Sequence, residues 1–174
     1  GDLSKKEVRG IISYEFDILK NIDSIFIDAK GFQDIVYVLD GTETGNLYDG
    51  KHLIVKHAFL SNTHHKVDIV WKTRPNKAMY FIDWDYDGAN QQVWTQGQGK
   101  YTSNWLPSID DMNDKIEFDL SIEFDKNYQV ISNGKLTNKQ ISPEELFARN
   151  EFENKMLQAR GQALYHSQDY KSNL

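Results

Sequence analysis

Two glutamines flanking a glycine, Gln96-Gly97-Gln98 in the stretch QQVWTQGQGKYTSNWLPSIDD from Gln91 to Asp111, come closest to binding chemistry in this sequence. A side-chain amide both donates and accepts hydrogen bonds. A pair of them about 7 Å apart along an extended backbone can hold a peptide's amino end and a nearby carbonyl without carrying charge. Extended geometry puts Gln92, Trp94, Gln96 and Gln98 on one side and Val93, Thr95 and Gly97 on the other. Gly97 and Gly99 let a second backbone or a ligand come close. The same residues also fit a polar edge strand entering an irregular loop, and both readings stand at this point.

Other chemistry is sparser. Asp83-Trp84-Asp85-Tyr86-Asp87-Gly88 reproduces the first half of a calcium loop, with Asp83, Asp85 and Asp87 as the candidate ligands. Its twelfth position is Trp94 rather than a bidentate glutamate, and strands rather than helices are expected on either side, so an acidic hairpin loop is the default. His64 and His65 are adjacent and point apart on a strand, while His52 and His57, five apart, face opposite ways. Neither pair predicts a metal site. The chain has no His-Glu-x-x-His, no Gly-x-Ser-x-Gly, no phosphate-cradling glycine loop and no cysteine nucleophile.

Strands must position these groups. Val8, Gly10, Ile12, Tyr14, Phe16 and Ile18 alternate with mostly polar residues, and Ile116, Phe118, Leu120, Ile122 and Phe124 alternate with Glu117, Asp119, Ser121, Glu123 and Asp125. That period of two predicts half-buried strands. Further strands are expected at Ser24 to Asp28, Ile35 to Leu39, Leu53 to Ala58, Lys66 to Thr73, Ala78 to Ile82, Gln92 to Gln96 and Tyr128 to Ser132. Asp40-Gly41, Asp49-Gly50, Asp87-Gly88 and Asn133-Gly134 are turn signals between them. The fold class expected is mainly β: an antiparallel β-sandwich or curved, saddle-like sheets, with one C-terminal α-helix. The helix is expected from Ser142-Pro143-Glu144-Glu145, which supplies a cap hydroxyl, a first-turn proline and a glutamate that reaches back. It would run to about Tyr165 and leave a frayed tail. The domain reading is therefore 1–140 as a β domain and 141–174 as a helical appendage.

Composition bounds the partners. The chain has 174 residues, 39% of them hydrophobic, a net charge of -6 and no cysteine. The length suffices for a core. The dispersed Lys and Arg residues and the negative charge argue against a nucleic-acid partner. No apolar run approaches a transmembrane span, and the first residues carry no signal-peptide core. The compartment stays open, with a cell-envelope or secreted setting slightly favoured over a cytoplasmic one.

The order of the pieces adds a resemblance. "TQGQGKYTSNWLPSIDD" followed by "KIEFDLSIEFDKNYQVISNGKL" resembles the N-terminal domain of the zinc aminopeptidases of peptidase family M1, relatives of aminopeptidase N and leukotriene epoxide hydrolase. "GIISYEFDI", "IFIDAKGF" and "YDGKHLIV" fall in the same order, and the similarity covers Lys5 to Leu136. The resemblance implies that Gln96 and Gln98 line the substrate's amino-terminal subsite, where the second position is commonly glutamate. With glutamine there, binding of the free ammonium lacks one negative partner and rests on hydrogen bonds to neutral groups. Gly97, Trp105, Pro107 and Asp110 match the turn beside that site, and Asp110 is expected to be structural. Asp111 and Met112 stand where Glu-Pro is usual.

The resemblance also implies what this sequence lacks, namely the catalytic domain with its zinc. The expected function is that of a non-catalytic domain or fragment of a metallo-aminopeptidase, inactive alone, with no cofactor of its own and a peptide substrate shared with the missing domain. The alternative is a stand-alone β-sandwich that binds peptides or proteins without peptidase activity, with the C-terminal helix as a possible homo-oligomer contact.

Overall fold

Alternating apolar and polar side chains carry this chain into antiparallel strands. The computed structural model describes residues 5–85, 90–111, 117–125, 128–140 and, as main chain, 165–171. They fall in two compact units, Gly1–Asp114 and Lys115–Leu174.

The first unit contains β1 (Val8–Asp17), β2 (Ile22–Asp28), β3 (Asp34–Leu39), β4 (Glu43–Gly45), β5 (His52–Phe59), β6 (His64–Thr73), β7 (Met79–Ile82) and β8 (Gln92–Thr95). Four of them form a sheet in the order β1-β6-β3-β4; β2 pairs with β5, and β7 with β8. Each pairing is antiparallel. The turn from β3 to β4 uses Asp40 at φ 50° and Gly41 at φ 74°. They are the two central residues of a turn closed by Thr42 N–H to Leu39 O at 3.1 Å within a three-residue connection, and Asp-Gly tolerates such positive φ values.

The core lies between the first two sheets. Ile35, Tyr37 and Leu39 of β3 and Val67, Ile69 and Trp71 of β6 meet Ile27 of β2 and Leu53, Val55 and Phe59 of β5, with Ile18, Ala29 and Phe32 filling the margins. Within each strand these positions share one parity, so each sheet turns one face inward. Burial of a side chain such as Phe59 or Leu53 contributes about 1.5–3 kcal/mol relative to leaving it exposed.

The second unit contains β9 (Asp119–Asp125), β10 (Lys135–Gln140) and β11 (Tyr165–Lys171), in the order β10-β11-β9. Here the structure differs from the sequence expectation. Tyr128 to Ser132 is irregular, and the strand after it is Lys135–Gln140, whose six residues are all exposed. Residues 165–171, expected as a helix end and frayed tail, form β11 and pair with β9 over Tyr165↔Asp125 to Lys171↔Asp119. The helix expected from Ser142 lies otherwise outside the described residues.

Candidate functional site

The β7–β8 hairpin carries the glutamines. Its ladder pairs Met79 with Thr95, Tyr80 with Trp94, Phe81 with Val93 and Ile82 with Gln92. One more backbone bond, from Gln96 N–H to Ala78 O at 2.8 Å, extends the pairing by a residue. Regular strand ends at Thr95, and the chain then turns, with Tyr101 N–H donating to Gly97 O at 3.2 Å and with Gly99 at φ 81° and Lys100 at φ 67°. Gln96 and Gln98 are both exposed. Gln96 continues the strand, whereas Gln98 sits in the turn, so the single extended run expected through Gln98 breaks after Gln96. Gly97 has a packing role: a Cβ there would overlap the Thr102 hydroxyl.

The segment after the turn is fastened to the core. A single 3-10 turn, Thr102–Asn104, leads to Trp105 and Leu106, which pack against the core cluster, and to buried Pro107. Ser108 and the end of β2 exchange backbone bonds, Asp28 N–H to Ser108 O at 2.8 Å and Ser108 N–H to Asp28 O at 2.9 Å. Lys30 N–H donates to Ser103 O at 2.7 Å, and the Tyr14 hydroxyl on β1 donates to Pro107 O at 2.8 Å.

Asp110 organises this loop. Its carboxylate accepts from the Ser103 hydroxyl at 2.5 Å, the Ser103 N–H at 3.3 Å, the Ser108 hydroxyl at 3.0 Å and Lys30 Nζ at 3.4 Å. The Asp110 N–H donates to Asp28 Oδ2 at 3.0 Å. Its side chain is 8% exposed. Burial pushes this carboxyl's pKa up, but the hydrogen bonds from Ser103 and Ser108, with the Lys30 charge, outweigh it and leave the net value lowered. Tyr14 is pushed well above its ordinary value, first by burial and then by the negative charge of Asp110. Neither group is poised for proton transfer near neutral pH. Through these bonds Asp110 ties the loop to the end of β2 and to Lys30.

The acidic run divides. Asp83 is exposed with φ 58°, Asp85 pairs with Lys6 at 2.7 Å, and Asp87 lies outside the described residues. Four histidines contact carboxylates: His52 with Asp49 at 3.0 Å, His57 with Glu43 at 3.1 Å, His64 with Asp17 at 2.8 Å and His65 with Asp40 at 2.8 Å. Sequence spacing does not show that His57 on β5 and His65 on β6 converge from facing sheets, with ring centroids 5.5 Å apart and both stacked edge-on to Phe59. Their shared inward parity with Val55 and Val67 is the only sequence signal for it. Among the described residues no three His, Asp or Glu side chains group as metal ligands, and the arrangement of these donors does not fit a zinc site.

Comparison with known proteins supplies the family context. The model of the peptidase M1 N-terminal domain matches residues 2–158. That match runs beyond Leu136, where the sequence reading ends the resemblance. Among solved structures, an M1 zinc metallopeptidase from Deinococcus radiodurans superimposes with a TM-score of 0.71 at 9% identity, covering 97% of this chain and 35% of its own. A two-domain M1 zinc metallopeptidase variant bound to L-arginine gives a TM-score of 0.69 at 10% identity, with coverages of 97% and 35%. A Deinococcus radiodurans variant bound to a Tyr-Ser-Ala substrate gives 0.68 at 9% identity, with 95% and 34%. At such identities the likeness shows the fold. The chain spans about a third of the length of these structures. No curated protein sequence matches it.

Proposed function

The chain belongs to the peptidase M1 N-terminal domain family, and from that premise we propose that it is the non-catalytic β domain of a metallo-aminopeptidase, presenting Gln96 and Gln98 to the amino end of a peptide. In this reading bond cleavage is performed by a zinc domain outside this sequence, and this chain binds and orients. The observation that carries the reading is accessibility on a fixed mount. Both amides are exposed, Gln96 at the end of a paired strand and Gln98 in the following turn, and the next segment is fastened through Asp110 and Tyr14. Preorganised groups bind with a smaller ordering cost than mobile ones.

The amides also set selectivity. A bond from the ammonium to a glutamine oxygen is charge-assisted on the donor side and contributes about 1.5–3 kcal/mol, but it lacks the attraction that a carboxylate's opposite charge adds. With glutamine at both positions, the ammonium of a free amino terminus gains no ionic partner here. Selectivity for free over blocked amino ends is therefore modest.

The test is chemical-shift titration of the chain with Ala-Ala-Ala and with N-acetyl-Ala-Ala-Ala at millimolar concentration. The Gln96 and Gln98 side-chain amide signals should move, and Gln96→Ala or Gln98→Ala should each weaken binding about fivefold. Gln98→Glu should sharpen the preference for the free amine. Unshifted amides together with unchanged affinity in both alanine variants would refute the subsite. Hydrolysis of an aminoacyl-anilide by this chain would refute the non-catalytic assignment.

A further inference from the structure

The hairpin that ends at Gln96 also exposes an aromatic surface. Tyr80 and Trp94 are cross-strand partners whose rings stack at 4.4 Å between centroids and 26° between planes. Yet they remain 38% and 45% exposed, and Ile82 on the same face is 40% exposed. A cross-strand ring pair steadies a hairpin. That role does not account for how much of both rings, and of the isoleucine beside them, is left open to water in a two-stranded sheet. Behind this face the hairpin is braced by Trp84, whose Nε1 donates to Gln92 O at 2.9 Å and whose ring meets Phe81 edge-on at 6.4 Å. The open rings therefore sit on a hairpin that carries a contact of its own on the other face, where Val93 is also 39% exposed.

The neighbouring positions define the ligand. By strand alternation Gln92, Trp94 and Gln96 share the side of Tyr80 and Ile82, and the bond from Gln96 N–H to Ala78 O carries the ladder that far. That side reads amide, ring, amide, and none of these five residues is charged. An extended peptide has the complementary pattern, with a neutral hydrogen-bonding backbone and side chains repeating at about 7 Å. Lys77, two residues before Met79, is directed to the Tyr101 ring, 5.6 Å from its centroid.

Resting on the peptide-binding reading above, we infer that Tyr80 and Trp94 form an aromatic step continuous with Gln96 that selects peptides carrying an aromatic side chain near the amino end. The amides hold the backbone and the rings read the side chain. Tyr80 and Trp94 thus determine specificity and take no part in bond cleavage.

The test compares Phe-Ala-Ala with Ala-Ala-Ala on the same chain, by chemical shift and by tryptophan fluorescence. Wild type should bind Phe-Ala-Ala about tenfold more tightly, the scale expected for an added aromatic contact with its burial. Trp94→Ala should bring that ratio to about one while Ala-Ala-Ala binding persists, and Trp94→Phe should keep part of it. An unchanged ratio in a folded Trp94→Ala chain overturns the inference. Should that variant unfold, the wild-type Trp94 indole signal decides: it must move with Phe-Ala-Ala, and its failure to move is equally fatal. Dimerisation of wild type through this face, abolished by Trp94→Phe, would assign the rings to a second copy and overturn the proposal.

The two readings fail separately. Binding lost in the glutamine variants with no preference for phenylalanine sinks the step and spares the subsite. A Trp94-dependent preference that is indifferent to Gln96→Ala and Gln98→Ala sinks the subsite and spares the step.

Discussion

Asp110 gathers four donors onto one carboxylate: the Ser103 hydroxyl and N–H, the Ser108 hydroxyl and Lys30 Nζ. Ser103 is fully buried, so truncating Asp110 leaves its donors without water to replace the lost acceptor. Asp110→Ala should lower unfolding free energy by about 2–4 kcal/mol, the range for losing charge-assisted bonds from buried groups. Urea denaturation followed by tryptophan fluorescence measures it. Asp110→Asn keeps the shape and some acceptors and should cost less. That Asp110 would be structural is legible in the sequence, because a carboxylate after a Pro-Ser turn is well placed to cap backbone amides. Its partners are not legible: Lys30 and Asp28 are about eighty residues away in sequence and arrive only through the pairing of Asp28 with Ser108.

Among the elements, long alternating strands are readable, whereas β4 and β10 are not. β1, β3, β5 and β6 follow the period-two pattern because each turns one face to the core. β4 is three residues, Glu43-Thr44-Gly45, and is held by pairing to β3 rather than by an apolar face, so no pattern announces it. β10 is wholly exposed, and alternation is silent there for the same reason. The glutamine segment shows a mixed outcome. Gln92 to Gln96 reads correctly as extended, but Gly97 and Gly99, read as room for a ligand, serve a turn. At Gly97 the close neighbour is Thr102 of the same chain. Gly97→Ala should therefore destabilise the protein by about 1–3 kcal/mol, the cost of overpacking a tight site. Thr102→Ala removes the clashing hydroxyl, so the double variant should recover most of that loss. A thermodynamic cycle on the four proteins measures the coupling. Additive losses would show that the crowding at Gly97 has another source.

For the molecule as a whole, charge sets the pH response. The net charge of -6 includes carboxylates that the fold pairs with imidazoles, so both ends of the pH scale release specific contacts. Asp49 is held at a pKa of about 2 by the His52 imidazole and then by the His52 and Lys51 N–H groups. Asp40 is lowered by the Lys66 N–H and then by His65. Because these folded values lie below the ordinary 3.8, their contribution to stability is present above that pH and is lost as pH falls toward 2. His64 is raised above 6.5, chiefly by its hydrogen bond to Asp17. Its contribution is fully present below 6.5 and is lost as pH rises through the higher folded value. Melting temperature should thus peak between about pH 4 and 6.5. Asp17→Asn should flatten the alkaline limb alone, and Asp49→Asn should soften the acid limb alone. Salt separates the exposed pairs from the buried one. His64 and Asp17 are both open to solvent, so added sodium chloride should erase most of the alkaline limb. The part of the acid limb that Asp110 supplies should persist in salt, because its hydrogen-bonded carboxylate is screened from bulk ions by the loop it fastens. An alkaline limb that survives both salt and Asp17→Asn would assign the transition to a group other than His64.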